Sequence, residues 1–310
     1  GGASGALHSG FWAPRTRELV PVKGCLVQAS EVEAVRSEVL QRLNDAHVEP
    51  WNSVTGIGEL RSILIRSVNT VSERCEIGVV LVVANTDSRD WDALTAGWLE
   101  VPNITSVWLN HHPSPTNAML GASTRALCGE AWLKQQVGDF ILYRGPTGFS
   151  QSSEAGERVL ASLVDEMVPH DCGTFVDLYA GAGVFTAQVA HRVGRAILVE
   201  RVNDGMNAAE KSFSGASHVT TRVGDVEVVL PALVEEGMEL NAVVVDPPRA
   251  GLAPHVADAL CAAQPENLIY VSCQPKTLIR DLRTLTASTF DVHRVVPVDM
   301  FPHTPHLEVV

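Results

Sequence analysis

Beyond residue 173 the chain alternates between short apolar runs and stretches long enough for a helix, and this rhythm constrains the fold more than any other feature. The runs lie at 174–179, 196–200, 218–223, 242–246, 268–273 and 292–298. Strands that are apolar on both faces and separated by crossovers form a parallel sheet with helices on each side, so an α/β, doubly wound, Rossmann-like domain is expected here. The preceding half has a different pattern. A hairpin over 11–22 turning at Pro14, an amphipathic helix over 31–46, β-rich runs at 62–68 and 77–84, a helix over 91–99 and strands at 105–110, 131–137 and 139–143 predict a smaller α+β domain. The turn cluster Arg144-Gly145-Pro146-Thr147-Gly148 marks the change, which sets the domains at 1–148 and 149–310.

Two such domains need two cores, and 310 residues of which 45% are hydrophobic can supply them. No apolar run approaches the ~18 residues of a membrane span, and the start lacks the basic cluster and apolar stretch of a secretory signal. The six cysteines contain no Cys-x-x-Cys pair, so neither a self-contained zinc site nor a disulfide framework is indicated, and a cytoplasmic protein is expected. A net charge of −13 argues against a protein that coats nucleic acid. That charge divides into −3 over 1–148 and −10 over 149–310, which makes the first half the better platform for a polyanion.

The chemistry concentrates at the ends of the predicted parallel strands. The first strand runs through Asp177-Leu178-Tyr179-Ala180-Gly181-Ala182-Gly183 into a helix, a turn that either serves packing or brings a ligand against bare backbone. The second strand ends at Glu200, placed to accept from ribose hydroxyls, and the third delivers Asp225 to the same edge. A nicotinamide dehydrogenase would carry a third glycine near Ala187, and none is there. The glycine pattern is that of S-adenosylmethionine-dependent methyltransferases. The fourth strand closes on Asp246-Pro247-Pro248-Arg249, a stiff loop whose arginine stands where amino-group methyltransferases place an aromatic. Cys273 ends the fifth strand before Pro275, and is either a small buried hydrophobe or a nucleophile whose thiolate Lys276, Arg280 and Arg249 favour. Glu308, in the last short strand, is either a solvated acid or a general base beside that cysteine. His303 and His306 lack companions and read as structural rather than metal-binding.

Taken together the motifs closely resemble the uracil-C5 RNA methyltransferases, which make 5-methyluridine in tRNA and ribosomal RNA. The resemblance runs through Phe149-Ser150-Gln151, the Asp177 to Gly183 turn, Asp246-Pro247-Pro248-Arg249-Ala250-Gly251, Ser272-Cys273-Gln274-Pro275 and the Phe301 to Glu308 tail. It implies a class I methyltransferase domain, with Cys273 as nucleophile and Glu308 as proton-abstracting base. Gln151, Tyr179, Gly181, Gly183, Glu200, Asp225 and Asp246 become contacts to S-adenosylmethionine, Asp246 and Arg249 position the uracil edge, and Phe149 stacks on the target base. The chain departs from the family in carrying Ser153 where an asparagine is common and Val184 where some members have a polar residue. Cys25 resembles the last ligand of an iron–sulfur set in some members, but three upstream cysteines are missing, so no cluster is expected in this chain. Many members also carry an amino-terminal RNA-binding barrel whose pattern is not seen here, so a chain shortened at its N-terminus is expected.

The leading expectation is therefore a monomeric enzyme that acts on structured RNA, tRNA or ribosomal. An RNA-binding protein that keeps the fold without turnover, and a methyltransferase acting on an amino group, are the competing readings.

Overall fold

The computed structural model describes residues 6–310 except 14, 15, 17, 23, 53, 71–73, 115 and 117. The expected turn at Pro14 lies outside the described residues. The chain forms two compact units, one of Gly1–Gln135 with Gly145–Thr147 and the other of Gln136–Arg144 with Gly148–Val310.

In the first unit β1 (Gly10–Trp12) and β2 (Leu19–Pro21) form an antiparallel hairpin, followed by α1 (Ser30–Asp45). The main sheet has the order β3 (Leu60–Asn69), β4 (Cys75–Val83), β5 (Ile104–His111) and β6 (Ser123–Gly129). Only the β4–β5 pair is parallel and needs a crossover, supplied by α2 (Trp91–Thr95) and a 3-10 turn at Trp98–Glu100. The single helix expected over 91–99 is divided because Gly97, at φ 81°, takes the left-handed region. Val35, Val39 and Leu43 recur on one face of α1 and pack with Ile77, Val79, Leu81, Trp91 and Trp98. Strand β6 lacks an apolar alternation and was not legible in the sequence; backbone pairing to β5 defines it, with Arg125 bonded to Asp92 at 2.7 Å.

The strands β7 (Leu133–Val137) and β8 (Phe140–Arg144) pair as a hairpin, and residues 136–144 group with the second unit rather than the first. The turn cluster at 144–148 had set the boundary after them. Packing explains the difference: Val137, Phe140 and Leu142 share a core with Ala187, Leu198, Ala209 and Phe213, and the Phe140 and Phe213 rings lie 5.0 Å apart.

The rest of the second unit is a βα alternation: α3 (Glu154–Met167), β9 (Thr174–Leu178), α4 (Val184–Val189), β10 (Arg195–Glu200), α5 (Asn203–Ser212), β11 (Val219–Val223) and α6 (Val226–Glu235). Then come β12 (Ala242–Val245), α7 (Pro254–Ala263), β13 (Asn267–Tyr270), α8 (Pro275–Thr286), β14 (Pro297–Val298) and β15 (Glu308–Val309). The parallel sheet has the order β11-β10-β9-β12-β13, as a doubly wound domain requires. One face packs Val176, Leu178, Val243 and Val245 with Leu230, Val256 and Leu260; the other packs Phe175, Ala242, Val244 and Ile269 with Leu160, Val164 and Phe185. The strand expected over 292–298 shortens to β14, because the stretch before it carries Asp291, His293 and Arg294 and is exposed. A bridge between Ser272 and Val309 attaches the β14–β15 pair, antiparallel, to the chain leaving β13. The order reverses between β9 and β12, and ligands bind such sheets at that reversal, beyond the carboxyl ends of the strands.

Candidate active site

The turn after β9 is built from left-handed residues: Tyr179 at φ 65°, Gly181 at 55° and Gly183 at 87°. The two glycines serve different ends. A Cβ on Gly183 would lie 2.6 Å from Leu198 and 2.7 Å from Phe213, so this glycine lets α4 approach the sheet. At Gly181 nothing lies within 4 Å of that position, which leaves bare backbone facing open space. Glu200 is held by two backbone donors, Gly181 N–H at 2.9 Å and Val202 N–H at 2.6 Å, and each oxygen keeps a lone pair for a ligand hydroxyl. Asp225 precedes α6 half-exposed, 3.4 Å from Arg201.

Phe149, Gln151, Tyr179, Gly181, Phe185 and Asp246 line one pocket, together with Arg144 and Glu157. Gln151 donates to Asp246 at 3.3 Å, and the Phe149 ring is exposed. Arg144 and Glu157 form a buried pair at 2.8 Å, which the sequence did not flag because its partners belong to different elements. Ser153 caps α3, accepting from Gly156 N–H at 3.2 Å, so its side chain serves the helix. Val184 opens α4 and lines the same pocket.

Cys273 and Glu308 are brought together by backbone pairing. Ser272 and Val309 exchange two hydrogen bonds of 2.9 Å each. Cys273 and Glu308 flank this isolated bridge, and the charge of Glu308 acts on the Cys273 thiol. Glu308 is 2% exposed with one carboxylate oxygen unpartnered, and burial pushes it up to about 7 against the opposing pull of Arg249. Burial likewise raises Asp246 to about 8, helped by the charges of Glu308 and Asp177. Asp177, wholly buried below the glycine turn, rises to about 7 by burial although Thr186 donates to it through N–H and hydroxyl at 3.2 and 2.9 Å. A lone carboxylate in an apolar strand was the sequence signal for it.

The expected activation of Cys273 by three cations is corrected. The thiol is pushed up, first by burial and then by Glu308 and Asp246, against the opposing pull of Arg249 and of a backbone hydrogen bond. Lys276 is exposed on the first turn of α8, and Arg280 is bonded to Asp281 and to the carbonyls of Ala250 and Leu252.

Among the described residues no three His, Cys, Asp or Glu side chains gather as a metal site. The His306 ring meets Phe301 edge-on at 6.1 Å, and Cys25 is partly buried in the electrostatic field of Arg36. No helix of the described residues is long and apolar enough to cross a membrane.

A family model described as tRNA (Uracil-5-)-methyltransferase matches residues 229–310, the span that holds Asp246, Arg249, Cys273 and Glu308. An uncharacterized RNA methyltransferase of Lactobacillus johnsonii is 32% identical over 99% of this chain and 68% of its own length. The chain belongs to this RNA methyltransferase family. A second relative, an uncharacterized RNA methyltransferase of Oceanobacillus iheyensis, is 31% identical over 100% of this chain and 68% of its own. Among solved structures, the Pyrococcus abyssi tRNA (uracil-54, C5)-methyltransferase in complex with S-adenosyl-L-homocysteine superposes with a TM-score of 0.75 at 22% identity, covering 94% of this chain and 69% of that one. This likeness establishes a shared fold. The α/β class and the family expected from the motifs are thereby met.

Proposed function

We propose that this family member transfers a methyl group from S-adenosylmethionine to C5 of a uridine in structured RNA. The observation that carries the reading is the facing of Cys273 and Glu308 across the Ser272–Val309 bridge, with Asp246 and Arg249 in electrostatic reach of both. The pocket fits the donor: open backbone at Gly181, lone pairs on Glu200, and Gln151 beside Asp246. Bound there, S-adenosylmethionine would supply an electrophilic methyl group, its S–CH3 bond breaking to leave neutral S-adenosylhomocysteine.

Uracil C5 is too weak a nucleophile to take that methyl unaided. Glu308 accepts the Cys273 proton, the sulfur bonds to C6, and the ring electrons move to O4 as an enolate that Arg249 stabilises. Carbon 5 of this enolate accepts the methyl. Glu308, having released the first proton to solvent, removes the C5 proton; the C5–C6 double bond returns and the C6–S bond breaks. Phe149 offers an exposed ring on which a base flipped out of a helix can stack. The family description and the substrate named for the P. abyssi protein favour tRNA over ribosomal RNA.

The test is transfer of labelled methyl to RNA by Cys273→Ala, expected to fall at least a thousandfold, together with trapping on RNA carrying 5-fluorouridine. Fluorine blocks the final proton removal, so a protein–RNA adduct that survives denaturation is expected with Cys273 present. Undiminished transfer by Cys273→Ala defeats the covalent route.

A further inference from the structure

Asp281 is a buried carboxylate that the chemistry above does not use, on a helix whose other charged groups, Lys276, Arg280 and Arg283, are exposed. Both of its oxygens are occupied. Oδ2 accepts from Leu252 N–H at 2.8 Å and from the Tyr270 hydroxyl at 2.7 Å, and Oδ1 accepts from Arg280 Nε at 2.8 Å. Arg280 reaches on to the carbonyls of Ala250 and Leu252 at 2.8 and 3.1 Å, and the Thr277 hydroxyl lies 3.2 Å from the carbonyl oxygen of Arg249. The fit is close: a Cβ on Gly251 would stand 2.4 Å from Asp281 Oδ2 and 2.6 Å from the Arg280 guanidinium.

These bonds join three pieces of the site. Leu252 and Ala250 end the loop that carries Asp246 and Arg249, Tyr270 ends β13 just before Cys273, and α8 begins just after it. We propose that Asp281 is a positioning residue, locking the loop that carries Arg249 to the strand–helix junction that carries Cys273. The inference rests on the reading of Cys273 and Glu308 as the reacting pair. An asparagine at 281 cannot replace the carboxylate, because its amide nitrogen must face either the Leu252 N–H or the Arg280 guanidinium, and both can only donate. Charge-assisted bonds to a buried carboxylate are also stronger than those to a neutral amide.

The consequence is legible at Cys273 itself. That thiol faces Glu308 on β15 and Asp246 and Arg249 on the loop, and Arg249 alone among them favours the thiolate. Asp246 is held separately, by Gln151 and by the Leu178 carbonyl, whereas Arg249 adjoins the tied Ala250–Leu252 segment. Loosening that segment displaces Arg249 and moves thiol reactivity to higher pH.

The experiment compares the full chain with Asp281→Asn, Tyr270→Phe and Arg249→Gln. Three readouts are taken: hydrogen exchange at 249–252, the pH profile of Cys273 alkylation by iodoacetamide read on its own peptide, and affinity for S-adenosylhomocysteine. For Asp281→Asn, exchange is expected at least tenfold faster, and the alkylation profile displaced upward in the direction of Arg249→Gln. Affinity should stay within twofold, since Gly181 and Glu200 lie outside the network and Asp246 is held separately by Gln151 and the Leu178 carbonyl. Should Asp281→Asn not fold, Tyr270→Phe, which removes one bond, is expected to speed exchange at least threefold. Exchange and alkylation matching the unaltered chain in whichever variant folds overturn the proposal. An unaltered protein that forms no adduct with RNA overturns the reaction instead, and the exchange result still decides the positioning.

Discussion

Glu308 is placed so that its protonation governs both ends of the proposed reaction, since only the carboxylate form can take a proton. With its value raised to about 7, single-turnover methyl transfer is expected to fall as pH drops through 7, rather than through the 4.5 of an ordinary glutamate. Arg249→Gln removes the one group that lowers it, so the acid limb should move to higher pH in a rate–pH profile. A limb unchanged by that substitution would detach Arg249 from the base. Asp177 makes the opposite kind of prediction, about stability. Its folded value of about 7 lies above the ordinary 3.8, so the folded chain holds a proton that the unfolded chain releases, and stability declines as pH rises from about 4 to about 7. Asp177→Asn escapes that decline. Its melting temperature is expected to exceed that of the parent at pH 8 and to converge with it near pH 4. Such values were invisible in the sequence, because burial depends on which residues of distant segments close around a group.

At the scale of elements, the turn between β9 and α4 separates packing from binding. Gly183→Ala meets Leu198 and Phe213 and must also hold φ 87°, so a loss of roughly 2–4 kcal/mol is expected in chemical denaturation. Gly181→Ala meets no neighbour and carries only the left-handed strain of about 1–2 kcal/mol, yet should lose S-adenosylhomocysteine affinity at least tenfold by titration calorimetry. Equal loss of affinity and equal loss of stability in the two variants would mean that the open backbone faces no ligand. The Gly-x-Gly spacing located this turn but could not say which glycine served which purpose. The answer lies in Leu198 of β10 and Phe213 after α5, which only the packed sheet brings to the same point. Strand β6 was missed for a related reason: its residues lack the period-two pattern, and its backbone bonds to β5 define it.

For the whole molecule, the division into two units makes residues 136–144, the end of β7 and all of β8, part of the second. A chain of residues 136–310 is expected to melt cooperatively, and one starting at 149 to melt at least 5 °C lower or to bind a hydrophobic dye, because Leu198, Ala209 and Phe213 lose their cover. Equal melting of the two would return the boundary to the turn cluster. By itself the sequence determined the parallel α/β class, through apolar runs that must be buried on both faces, and the edge at which Glu200, Asp246 and Cys273 emerge, because in such a sheet every strand points the same way. Tertiary structure alone decided that Glu308 reaches Cys273, that the thiol is raised rather than lowered, and that Asp281 ties the Arg249 loop to it. Each of these depends on the register of a backbone bridge or on the burial of a charge. Both are properties of segments far apart in the chain, and no local pattern of residues encodes them.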